Sequence, residues 1–153
     1  MNIQYKINAG DSESLIEHLN KCDFIFVQGL TKKIGIADYV DKIINNATRF
    51  EAWKENELVG LIAAYFNDIN NHSGYITNVS TIASYEGKGI GKELLNNCIQ
   101  FGKENNYIEL NLEVFSENKP AIHLYEKCHF KIKGFKNDQI IMNRDLTGNI
   151  LKS

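Results

Sequence analysis

Residues 85–95 read Tyr85-Glu86-Gly87-Lys88-Gly89-Ile90-Gly91-Lys92-Glu93-Leu94-Leu95, and the fold turns on this stretch. Upstream, Tyr75 to Ile82 has the character of a strand. Downstream, Leu94, Leu95, Cys98 and Ile99 recur at the spacing of an amphipathic helix. Between them, three glycines in five positions let the backbone turn tightly and bring its N–H groups close to a ligand. The helix that follows aims its unpaired N–H groups and the positive end of its dipole at the same place. Strand, glycine turn and helix start together make a phosphate cradle, flanked by Lys88 and Lys92. Two common phosphate loops do not fit it. A nucleoside-triphosphate loop requires glycine where Glu86 stands and Ser or Thr where Glu93 stands, and a dinucleotide fingerprint requires glycine at Lys92.

A second block narrows the choice: Asn118-Lys119-Pro120-Ala121-Ile122-His123-Leu124-Tyr125-Glu126-Lys127-Cys128-His129-Phe130. The first block resembles the pyrophosphate-binding motif of the GNAT acetyltransferase superfamily: Arg or Gln, two residues, Gly, one residue, then Gly or Ala. The second resembles that family's other signature: Asn, a small residue, Leu-Tyr and a closing Gly-Phe. With their flanks the two blocks cover roughly Tyr75 to Phe135, in the family's order and at about its separation. Two positions depart from the pattern. Glu86 replaces the usual Arg or Gln, putting a negative charge beside the pyrophosphate. His129 stands where glycine usually ends the helix, and histidine tolerates positive φ better than most residues.

The bulk properties bound the reading. A chain of 153 residues, 43% of them hydrophobic, supports one core, and a single domain over 1–153 is expected. A net charge of −2, with no basic run, argues against nucleic acid. No stretch approaches the roughly 18 apolar residues of a membrane span, and the N-terminus does not read as a signal peptide. Cys22, Cys98 and Cys128 are far apart and odd in number, which suits neither a disulfide framework nor a metal knuckle. A reduced, cytoplasmic protein without a metal is the expectation.

Along the chain, Ile3 to Ala9 reads as a strand, and Asp11 or Ser12 caps a helix to about Lys21. Asp23 to Lys33 is ambiguous, with Phe24 to Val27 apolar enough for a strand. A second helix spans Ile36 to Asn46. Thr48 to Lys54 and Leu58 to Asn67 form a hairpin, followed by the strand Tyr75 to Ile82. The helix from Ile90 runs to about Asn106, and Ile108 to Phe115 is the next strand. Asn118 caps the short helix Lys119 to Lys127, with Pro120 tolerated in its first turn. Phe130 to Phe135 and Gln139 to Asp145 close the sheet. The helical crossover makes the strands on either side of it parallel. The resemblance implies the GNAT fold: a mixed central sheet of about six to seven strands, its central parallel pair splayed apart, flanked by about four helices.

The resemblance also implies acetyl-CoA as co-substrate and assigns residues to it. Gly87, Lys88, Gly89, Ile90, Gly91 and Lys92 hold the pyrophosphate. Val79, Ser80 and Thr81 pair their backbone with the pantetheine amides, and Asn118 contacts the pantetheine or starts the short helix. Tyr125 matches the family's general acid. Glu113, twelve residues ahead of Tyr125, is the general-base candidate, at an offset shared by N-terminal amine acetyltransferases. Strand alternation sets it on the face opposite Leu112 and Val114, so it faces the cleft or pairs with a neighbouring strand. Many members deprotonate through a water instead. By analogy of position, Asn45, Arg49, Glu51 and Trp53 line the acceptor pocket, and Asp38, Asp41 and Glu51 offer charge to a small cationic amine. His18 and His72 read as solvated surface, and Cys98 and Cys128 as core thiols. The implied activity is transfer of an acetyl group to a primary amine of a small molecule, with a homodimer compatible with the family. The alternatives are a non-catalytic acyl-CoA-binding module, which Glu86 favours, and a protein N-terminal or lysine acetyltransferase.

Overall fold

Seven strands form one mixed sheet in the order β1-β2-β3-β4-β5-β7-β6. The strands are β1 (Gln4–Ile7), β2 (Thr48–Lys54), β3 (Glu57–Asp68), β4 (Ser73–Thr81), β5 (Glu109–Phe115), β6 (Lys131–Lys136) and β7 (Gln139–Asp145). The helices are α1 (Ser12–Lys21), α2 (Ile36–Asn46), α3 (Ile90–Glu104) and α4 (Lys119–Lys127). The computed structural model describes residues 2–22 and 35–147, so the ambiguous segment Phe24 to Val27 lies outside the described residues.

Local chemistry sets the helix ends. Asp11 accepts a hydrogen bond from the Ser14 N–H at 2.9 Å to open α1, and Asn118 accepts from the Ala121 N–H at 3.3 Å to open α4. α3 starts from Gly89, which sits at φ 84°. His129 adopts φ 70° just past α4, the left-handed conformation expected of a residue in glycine's place.

The core lies on both faces of the sheet. Leu94, Leu95 and Ile122 from α3 and α4 pack on Ile62, Leu110, Leu112 and Met142. On the other face, Leu15 and Leu19 of α1 and Val40 and Ile43 of α2 pack on Leu58, Leu61 and Ala63. β3 is buried on both sides, hence its nearly continuous apolar run. Gly60 lets α3 lie close to it, since a Cβ there would come within 2.8 Å of Ile90 Cγ2.

β4 and β5 are the parallel pair, and they stay together only from Ser73–Glu109 to Tyr75–Asn111. Ala64 pairs with Ile76 and Ala63 with Asn78, which leaves Thr77 unpaired in a β-bulge. The Tyr39 hydroxyl, from α2, donates to the Thr77 carbonyl at 3.1 Å. Past this bulge β4 follows β3 to Thr81 and parts from β5.

Two expectations are corrected. His18 is buried, not solvated: it is 1% exposed, with Nδ1 2.8 Å from the Leu58 carbonyl and Nε2 2.9 Å from Ser80 Oγ. Its place on the inner face of α1 comes from packing on β3 and β4, which the polar residues around it conceal. Arg49, Glu51 and Trp53 do not line an acceptor pocket. Glu51 accepts from the Ala9 N–H at 3.0 Å, the Gly10 N–H at 3.1 Å, Arg49 Nε at 3.2 Å and Trp53 Nε1 at 3.0 Å. Alternation puts the three side chains on one face of β2, under the β1–α1 turn, where this network is closed and buried. Asp38, Asp41 and Asn45 are exposed.

Candidate active site

The parting of β4 from β5 opens a cavity of about 80 Å³, lined by Tyr75, Thr77, Val79, Glu113, Asn118 and Tyr125 among others. Four candidates from the sequence thus meet in one place: Val79 of β4, Glu113 of β5, Asn118 at the start of α4 and Tyr125 within it. Tyr125 is 6% exposed and packs against Phe130 with ring centroids 5.9 Å apart. Burial pushes its phenol well above the ordinary range, so it is protonated at neutral pH.

Glu113 faces away from Leu112 and Val114, as alternation requires, opposite Ile141 of β7. One carboxylate oxygen, Oε1, is buried with no hydrogen-bond partner, and Lys136 Nζ is 4.0 Å from it. Glu113 thus lines the cavity and also stands at ion-pair distance from a lysine of β6, so the structure holds features of both readings of this residue. Tyr75 lies across the gap, its phenol pushed up to about 12 by burial and, secondarily, by the Glu113 charge.

The glycine loop lies beyond the end of β4. Gly87 and Gly89 sit at φ 76° and 84°, in the left-handed region. An added Cβ at either would meet nothing within 4 Å, so only the backbone conformation demands glycine. Lys88, Lys92 and Glu86 are exposed around it. The first N–H groups of α3, at Ile90, Gly91 and Lys92, have no carbonyl partner within the helix and are free to meet an anion. The loop lies outside the cavity lining, as do Ser80 and Thr81. Thr81 pairs with Gly60 of β3, and the Ser80 hydroxyl donates to Asn78 Oδ1 at 2.8 Å and lies 2.9 Å from His18 Nε2.

His18 is fixed in one tautomer. The Leu58 carbonyl can only accept, so Nδ1 carries the proton and Nε2 is left as an acceptor, with Ser80 Oγ at 2.9 Å. Burial lowers the imidazole to about 4, which keeps it neutral at pH 7. Cys22 Sγ lies 3.6 Å from Nε2, and burial pushes its thiol up to about 11, so it is no thiolate nucleophile. Cys98 and Cys128 are buried, as expected of core thiols. Among the described residues no group of three His, Cys, Asp or Glu side chains is placed to hold a metal.

Tyr39, Tyr75 and Thr77 were not legible as site residues in the sequence. Their placement depends on the bulge and on α2 docking over it, and neither leaves a local motif.

Comparison with known proteins agrees with this architecture. The acetyltransferase (GNAT) family model matches residues 13–130. The chain belongs to the GNAT acetyltransferase family. It is 35% identical to streptothricin acetyltransferase A of Bacillus subtilis over 85 residues, 54% of this chain and 47% of that one. It is 30% identical to an N-alpha-acetyltransferase of Saccharolobus solfataricus over 125 residues, 75% of this chain and 70% of that one. The chain thus spans about half the length of the Bacillus relative and rather more of the archaeal one. Among solved structures, the PaiA N-acetyltransferase of Thermoplasma acidophilum in complex with coenzyme A matches with a TM-score of 0.77 at 20% identity, over 95% of this chain and 99% of that one. The ribosomal-protein-S18-alanine N-acetyltransferase of Escherichia coli matches with a TM-score of 0.74 at 15% identity, over 94% of each chain. These two likenesses establish the fold. No helix among the described residues is long and apolar enough to cross a membrane.

Proposed function

We propose that the protein is an N-acetyltransferase that moves the acetyl group of acetyl-CoA to a primary amine of a small molecule. The observation that carries this reading is the splay cavity, where Glu113, Asn118 and Tyr125 meet between the parted parallel strands. The glycine loop and the start of α3 hold the pyrophosphate by backbone N–H groups, with Lys88 and Lys92 beside them. The free edge of β4 beyond Thr77 pairs with the amides of the pantetheine arm, and an N–H there polarises the thioester oxygen. Glu113 takes a proton from the ammonium form of the acceptor. The freed amine attacks the thioester carbon, and the C–O π electrons move onto oxygen. As they return, the C–S bond breaks, Tyr125 gives its proton to the departing thiolate, and the second proton of the acylated nitrogen passes to the tyrosinate so formed, which leaves a neutral amide and a restored phenol. Burial keeps Tyr125 protonated until that moment.

We further read the chain as one domain over 1–153, acting in the cytoplasm, where its three free thiols suit a reducing environment. Glu86, exposed at the pyrophosphate loop, favours the second reading: an acyl-CoA-binding module without turnover. Calorimetric titration with acetyl-CoA, CoA and ATP, followed by an amine screen for thiol release, separates the two. Saturable binding of the CoA compounds alone, with amine-dependent thiol release, is expected. Binding without release for any amine favours the module, and absence of binding overturns both.

A further inference from the structure

Beside the splay cavity lies a second one of about 340 Å³, lined by Tyr75, Asn111, Leu112, Glu113, Lys133, Gly134 and Ile141. Tyr75 and Glu113 belong to both, so the second cavity is the space an acceptor amine would occupy on reaching Glu113. Its size suits a small molecule. Three cross-strand partners line up along it: Glu113 of β5 opposite Ile141 of β7, and Ile141 opposite Gly134 of β6.

Gly134 is the informative member. It has no positive φ, and a Cβ built on it would meet only Ile141 Cδ1, at 3.9 Å. Gly134 borders the register break at Lys133, but its φ is not positive and its packing leaves room for a side chain. What a side chain at this position would do is fill the cavity.

The charges at the two sides differ. Glu113 presents a buried oxygen without a hydrogen-bond partner on one strand. Lys133 lines the cavity from β6, two strands and so roughly 10 Å of sheet away; its charge also acts on Glu109 of β5, but among the described residues no carboxylate lies within 4.0 Å of it. Lys136, also of β6, lies 4.0 Å from Glu113 Oε1 and is outside the lining of this cavity. β6 is an edge strand, and lysines there also discourage pairing with other chains. Lys133 differs from Lys131 in lining the cavity.

From this juxtaposition, and resting on the acetyl-transfer reading above, we propose that the acceptor is a small amino-carboxylate: its amine meets Glu113, its carboxylate meets Lys133, and its apolar part lies over Ile141 against Tyr75. The two lysines disfavour polycationic amines, which would bring a second positive charge to them. Lys133 is a specificity residue, and Gly134 keeps the space open.

The test pairs acids with their neutral counterparts: leucine, phenylalanine and 6-aminohexanoate, each beside its carboxamide, with spermidine as polycation. Each is assayed for acetyl-CoA-dependent thiol release and titrated into CoA-saturated protein with the Gly134 and Lys133 amide resonances followed by NMR. At least one acid is expected to exceed its carboxamide tenfold in kcat/KM and to shift those resonances. Lys133→Gln should abolish that preference chiefly through KM, and Gly134→Leu should raise KM for the acid, both with acetyl-CoA affinity unchanged. Carboxamides equal to or better than acids, preference for spermidine, or no shift at Gly134 with any acid overturns this proposal while leaving acetyl transfer standing. Failure of acetyl-CoA itself to bind overturns both readings.

Discussion

Lowering the pH from 7.5 to 4 should remove a defined part of this protein's stability through His18. In the unfolded chain the imidazole binds a proton below about 6.5, whereas in the folded protein burial delays this to about 4. Between those values the unfolded state holds more protons, so stability rises with pH. The contribution is complete above about 6.5, is lost progressively as pH falls, and is gone below about 4. At about 1.4 kcal/mol per pH unit the loss is on the order of 3 kcal/mol, a large share of the roughly 5–15 kcal/mol available to a domain. Asp11 and Glu109, whose carboxyls are held below their ordinary values, lose stability under acid as well. A His18→Gln variant keeps those groups and removes the imidazole, so their effects cancel in the difference. Urea unfolding of both proteins at several pH values should show the wild type's advantage shrinking by about 3 kcal/mol between pH 7.5 and 4. An imidazole midpoint near 6.5 by NMR, or a difference independent of pH, would refute the reasoning.

Other perturbations test the site and its frame. Tyr125→Phe should lower turnover roughly ten- to a thousandfold with acetyl-CoA affinity retained; unchanged turnover removes Tyr125 from the chemistry. Gly89→Val should abolish acetyl-CoA binding, because a β-branched residue at φ 84° distorts the loop, at a stability cost of about 1–3 kcal/mol. Calorimetry and a thermal melt read the two effects separately, and retained binding means the cradle lies elsewhere. Glu51→Ala should destabilise the protein by about 3–5 kcal/mol in urea unfolding, since it leaves Arg49, Trp53 Nε1 and the Gly10 N–H buried without this partner. Asn118→Ala should cost about 0.5–2 kcal/mol through loss of the α4 cap, measured the same way.

The sequence by itself carried the order of the elements and both motifs. Glycines at 87 and 89, the cap at Asn118 and the apolar spacing of α3 are local signals, in which a residue's identity states the backbone it needs. The alternation of β5 likewise set Glu113 apart from Leu112 and Val114 before any contact was known. Tertiary structure decided what surrounds those residues. His18 reads as one more polar residue of a polar helix, yet docking of α1 over β3 buries it against Leu58 and Ser80. Arg49, Glu51 and Trp53 read as pocket residues, yet the β1–α1 turn closes over them. The bulge at Thr77, which parts β4 from β5, arises from pairing register with β3 across a hairpin. Local propensity travels with the chain, whereas burial, charge environment and register are fixed only when distant segments meet.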